Sequence, residues 1–190
     1  MRSGAVPLGS THVPAHGDVM KGAIFYATRY GSTGQYARWI AEATGLDAYD
    51  IDAGGASIGD FDFLVLGSPV IYHKLMFWKW VRRHLDTIAK KPVIVFTVSG
   101  VSAGEKLDGW IAESLPQDLI DRMHHVALRG RQDPRELTRY DRMMLIIGSL
   151  MNRDRQAARE ELHGFDFMDK DSIGPVVALV ERLKAGETAA

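Results

Sequence analysis

The chain contains no cysteine, which excludes disulfides, thiolate metal sites and thiol catalysis. It also lacks any apolar run of the roughly 18 to 20 residues that a membrane span requires, the nearest approach being residues 143–147. Charge of either sign is almost absent in the balance, with a net −1 and an isoelectric point near 6.7. That argues against a general nucleic-acid binder, whose phosphate contacts need a basic face. Seven histidines are scattered, with only His124 and His125 adjacent, and none stands at ligand spacing from acidic residues. A metal centre is therefore not expected. No Ser-His-Asp ordering marks a hydrolase, and no internal repeat is visible.

What is present suits a single domain. Residues 1–19 are rich in Gly, Pro, Ser and His, have no apolar periodicity and lack the hydrophobic centre of a signal peptide. They are expected to be a disordered extension, with one domain over residues 20–190 opening at Met20-Lys21. A length of 190 residues with 46% hydrophobic and 25% charged residues leaves that domain a full core.

The chain is organised around residues 21–33, KGAIFYATRYGST. Ala23 to Ala27 are apolar at every position, as in a central parallel strand covered on both faces. The run then breaks into Thr28, Arg29, Tyr30, Gly31, Ser32 and Thr33, with a helix expected over residues 34–44. Three hydroxyls face the start of that helix, whose first N–H groups have no intrahelical acceptor and whose dipole is positive at this end. An anion is stabilised in such a turn without a lysine. The same hydroxyls also suit plain capping of the helix. No Gly-Lys-Ser/Thr follows, so this is not a Walker loop, and one glycine does not make a dinucleotide fingerprint.

Further apolar strands are expected at residues 63–67, 93–98 and 125–128, with an alternating edge strand at 47–51. Helices are expected at 76–89, 105–115 and 172–184, and an arginine-rich helical segment follows the fifth strand. The alternation predicts an α/β fold: a doubly wound, five-stranded parallel sheet of order 2-1-3-4-5. A ligand then lies beyond the carboxyl ends of strands one and three, where the strand order reverses. The loops there are residues 28–33 and 67–74, joined by residues 99–104 after strand four. Ser68, Pro69, Val70, Ile71 and Tyr72 offer backbone groups and one aromatic face to a flat ring, with Tyr72 the stacking candidate or else a residue packed on the sheet edge. Ser99, Gly100, Val101 and Gly104 let backbone approach the ring closely.

The run Ile24-Phe25-Tyr26-x-Thr28-x-x-Gly31-x-Thr33 resembles the signature of the flavodoxin family, whose members hold FMN phosphate in this turn. With the Gly67 to Tyr72 loop and the late helix holding Arg139-Tyr140-Asp141 and residues 143–150, the likeness over residues 20–184 is to the menaquinone-dependent protoporphyrinogen dehydrogenase group. Members of that group often carry arginine where this chain has Ile71. The resemblance implies an FMN-dependent oxidoreductase of heme biosynthesis, cytoplasmic and in peripheral contact with a membrane, in which the flavin carries the redox step. It passes electrons from an acidic tetrapyrrole to a quinone. The alternative is a flavodoxin-type electron carrier without small-molecule turnover. A receiver domain shares the topology but needs acidic residues where this chain has Thr28-Arg29-Tyr30 and Gly67-Ser68.

From Arg122 to Glu160 nine arginines stand against five acidic residues, around an apolar face at Met143 to Ile147. This segment reads as a core helix with a solvated charged stripe, or as a docking surface for propionates or a lipid interface. Its placement after strand five is expected to set it beside the ligand, with Arg139 and Arg142 toward an anionic partner.

Overall fold

The computed structural model describes residues 19–151 and 162–186, with side chains described at 19–147 and 162–186. The proposed extension at residues 1–19 and Arg153 of the late segment lie almost wholly or wholly outside them.

Five parallel strands form the sheet: β1 (Gly22–Tyr26), β2 (Asp47–Asp50), β3 (Phe63–Ile71), β5 (Val93–Ser99) and β6 (His124–Arg129). A short β4 (Lys74–Leu75) pairs antiparallel with β3. The order β2-β1-β3-β5-β6 is the expected 2-1-3-4-5 of a flavodoxin-like sheet. Alternation along each strand divides the core. Ala23, Phe25, Leu64, Leu66 and Val95 face one side, packing on α2 (Trp78–Arg83), α3 (Leu85–Ile88) and α4 (Glu105–Ser114). Ile24, Phe63, Val65, Ile94 and Phe96 face the other, against α1 (Ser32–Thr44) and the late helix α7 (Gly174–Lys184). All ten of these strand side chains are at most 4% exposed, so burial on both faces explains the unbroken apolar runs.

Three elements differ from expectation. Strand β3 does not stop at Gly67 but continues to Ile71, with Pro69 inside it. The Gly67 carbonyl accepts from the Ala27 N–H at 2.9 Å, so by alternation Pro69 faces the same side, beyond the end of β1. That side is taken by β4, where the Pro69 carbonyl accepts from the Met76 N–H at 3.0 Å and the missing N–H of Pro69 leaves the return bond unmade. The helix expected over residues 76–89 is broken into α2 and α3 at His84, whose Nδ1 lies 2.9 Å from the Trp80 carbonyl and competes with the backbone ladder. The third difference follows α5 (Gln117–Ile120) and β6: β7 (Arg131–Gln132) pairs antiparallel with β8 (Phe165–Asp166) in a separate two-stranded ribbon. Between them runs α6 (Arg139–Met151), the arginine-rich segment.

Candidate functional site

The carboxyl ends of β1, β3, β5 and β6 open into one cavity of about 710 Å³, within the range of small-molecule sites. Twelve of the expected site residues line it: Thr28, Arg29, Tyr30, Ser32 and Thr33 from the first loop, Pro69, Val70, Ile71 and Tyr72 from β3 and its turn, and Ser99, Gly100 and Val101 after β5. Three do not. Gly31 caps α1 at the apex of the first turn, where φ of 87° is open to glycine and costly for other residues. Ser68 is buried as a structural hydroxyl, donating to the Pro69 carbonyl at 2.9 Å and accepting from the Phe77 N–H at 3.3 Å. Gly104 precedes α4 and faces away from the cavity wall.

The hydroxyls of the first loop are not equivalent. Thr28 Oγ1 accepts from the Gly34 N–H at 3.4 Å, and Ser32 Oγ lies 3.4 Å from both the N–H and the carbonyl of Arg131. Thr33 Oγ1 is buried with no partner among the described residues, on a residue only 1% exposed. Thr33 is not the cap of α1, because the cap position is Gly31, which has no side chain, and the first-turn N–H of Gly34 is met by Thr28. A buried hydroxyl without a partner costs roughly 1–3 kcal/mol. Placed at a helix N-terminus on a cavity wall, it fits a phosphate oxygen. Arg131 also lines the cavity beside Ser32, brought there by β7. Neither it nor Lys106, which also lines the cavity, has an acidic partner among the described residues.

The expected stacking residue sits in an unusual turn. Tyr72 and His73 link β3 to β4 with φ of 51° and 64°, the geometry of a type I′ hairpin that glycine and asparagine favour. Left-handed backbone at a bulky residue costs of order 1–3 kcal/mol, here spent where the hairpin meets the cavity. His73 stacks on Trp110 of α4 at 4.9 Å and 15°, and both line the cavity. Tyr72 is 48% exposed, yet its hydroxyl is turned inward onto Asp141.

Asp141, part of the Arg139-Tyr140-Asp141 run that carries the resemblance, is not among the site residues expected from the sequence. It is 8% exposed and stands at the start of α6. Its carboxylate accepts from the Tyr72 and Tyr30 hydroxyls, from Arg29 Nη2 at 2.6 Å and from Thr138 Oγ1 at 2.8 Å. Burial pushes the Asp141 carboxyl up, but the bonds from Tyr30, Tyr72 and Thr138 and the charge of Arg29 outweigh it and hold the group below its usual value. Burial of the hydroxyl, then the bond to Asp141 and its charge, push Tyr72 up to about 12, while Arg29 pulls the other way.

The late segment borders the cavity as expected, through Leu137 before α6 and Asp141, Met144, Leu145 and Ile147 on it. Arg139 and Arg142 are exposed and line no part of it. Gly100 was expected to let backbone approach a flat ring; a Cβ there would stand 2.7 Å from Cζ of Phe165, so the approach it permits is that of β8. Phe165 and Phe167, stacked at 5.0 Å, complete the wall. Among the described residues no group of His, Asp or Glu is arranged to hold a metal ion, and no helix is long and apolar enough to cross a membrane.

The family profile described as a flavodoxin domain matches residues 23–158. No curated protein matches the chain. Among solved structures the chain is similar to a flavoprotein in complex with FMN from Lactobacillus acidophilus NCFM, at 12% identity and a TM-score of 0.44, covering 58% of this chain and 92% of that one. It is also similar to a flavodoxin from the domain Archaea, at 15% identity and a TM-score of 0.43, covering 85% and 99%. A third is the Fusobacterium nucleatum flavodoxin bound to flavin mononucleotide, at 15% identity and a TM-score of 0.42, covering 57% and 69%.

Proposed function

The chain belongs to the flavodoxin-domain family, and from that premise we propose that it is an FMN-dependent oxidoreductase using the cavity at the carboxyl ends of its strands. The observation that carries the reading is the unpartnered, buried Thr33 Oγ1 at the N-terminus of α1. In this reading Thr33, with the first N–H groups of α1, holds the phosphate, and Arg131 adds a charge beside Ser32. Backbone groups of Ser99 to Val101 meet the ring edge, and the Tyr72 hairpin meets its face. Bound FMN would supply the two-electron redox chemistry. The chain's own part is to bind and orient the ring and to exclude water, the last through the apolar side chains that α6 and β8 place on the wall.

The finer reading is a dehydrogenase resembling the protoporphyrinogen group, with an acidic tetrapyrrole as electron donor and a quinone as acceptor, working at a membrane surface. An electron carrier is the second reading, and the half-exposed Tyr72 at the cavity favours it by leaving a route to a partner protein. The near-neutral net charge counts against it, because carriers use a strong field to steer encounter. The protein purified without added cofactor should show a flavin absorbance spectrum, released by acid. If it is colourless, FMN at 100 times its Kd should stabilise it by about 2.7 kcal/mol. A colourless protein with no such gain would overturn the assignment.

A further inference from the structure

One carboxylate joins three separate parts of the chain around the cavity. Asp141 receives Arg29 and Tyr30 from the first loop, Tyr72 from the β3–β4 hairpin and Thr138 from the approach to its own helix. The junction is closed further by the Thr138 N–H on the Tyr30 oxygen at 3.3 Å and the Asp141 N–H on Thr138 Oγ1 at 3.1 Å. Leu137, Met144, Leu145 and Ile147, on the same stretch, lie on the cavity wall. Among the described residues this stretch also meets the hairpin through Tyr140, which lies edge to face with Tyr72 at 6.3 Å, and both rings are about half exposed. A helix held by a charged, buried node opens when the node is broken.

We propose that α6 is a lid over the cofactor cavity and that Asp141 is the positioning residue that latches it to the first loop and to the Tyr72 hairpin. The latch also fixes Tyr72 in its left-handed turn, because the hydroxyl bond is what holds the ring toward the cavity. It further occupies Arg29, the cation within the first loop, so the phosphate is left to Thr33, the helix N-terminus and Arg131. The proposal rests on the reading of the cavity as an FMN site.

A gate and a binding contact differ kinetically. Loss of a binding contact speeds release alone, whereas loss of a latch speeds both entry and release. Asp141→Asn keeps the size of the side chain and removes its charge and one acceptor oxygen. Stopped-flow flavin fluorescence should show association and dissociation of FMN each faster by about tenfold, equivalent to about 1.4 kcal/mol on each barrier. Kd should change by less than either rate. Tyr72→Phe removes one bond and keeps the ring, so both rates should rise by about threefold; it also carries the test if Asp141→Asn folds poorly. Hydrogen exchange of the backbone from Tyr140 to Leu145 should quicken in Asp141→Asn without any flavin present. Wild-type rates in both variants, or faster release with unchanged entry, would overturn the latch. If the wild-type protein binds no FMN, the cofactor assignment fails by itself, and unchanged exchange across α6 in Asp141→Asn then overturns the lid.

Discussion

Thr33 carries the most information per atom in this site, because its hydroxyl is costly to the folded chain as it stands. Replacing it with valine keeps the shape and deletes an oxygen that has no partner among the described residues. The flavin-free protein should therefore gain stability or keep it, where the loss of a true cap would cost about 1 kcal/mol. Binding should move the other way. FMN affinity should fall by about tenfold, the worth of one charge-assisted hydrogen bond, while riboflavin, which has no phosphate, should bind as before. Paired thermal melts and flavin titrations check both signs. Equal loss for the two ligands would leave Thr33 outside the phosphate site.

The elements divide into those that local pattern specifies and those that it does not. The unbroken apolar runs at Ala23 to Ala27, Phe63 to Leu66 and Val93 to Phe96 are legible because strands buried on both faces need no polar alternation. Thr28 to Thr33 were legible as a site because a strand, a turn and a helix start in a fixed order. Asp141 was not, since nothing near it in sequence shows that Tyr30 and Tyr72, 111 and 69 residues away, will converge on it. The hairpin at Tyr72-His73 was hidden for a different reason: neither residue favours positive φ, so the turn is imposed by tertiary bonds and not by local propensity. Arg131 came to the cavity only through its pairing with Asp166 across the long α6 excursion. His125 on β6 shows how an element can carry a measurable pH signature outside the site. Burial lowers its pKa, with Asp108 opposing, and Thr97 Oγ1 lies 2.9 Å from Nε2. The unfolded chain then takes up the proton first, so stability is full above about pH 6.5 and is lost as pH falls from there toward the lowered folded value. Thermal melts between about pH 7 and pH 5 should show a shallower loss in His125→Asn than in the wild type.

For the molecule as a whole, the question is whether the flavin site serves a substrate or a partner protein, and the charge distribution gives a way to decide. Positive charge on α6 is carried by Arg139 and Arg142, which the fold leaves exposed and off the lining of a cavity whose α6 wall is apolar apart from Asp141. In the proposed substrate reading these two side chains meet the acidic groups of the substrate without touching the cofactor. Replacing both arginines with glutamine keeps length and polarity while removing the charge. FMN affinity should then hold, because neither side chain reaches the cavity. KM for an acidic tetrapyrrole should rise by about twofold to tenfold, the worth of two exposed ion pairs, and the difference should shrink as salt is added. Reduction of a neutral quinone should change little with ionic strength. Steady-state assays on the wild type and the double variant make the comparison. If the wild type oxidises no small molecule but exchanges electrons with a partner protein at a rate that falls with salt, the chain works as a carrier, and the arginines guide that encounter instead.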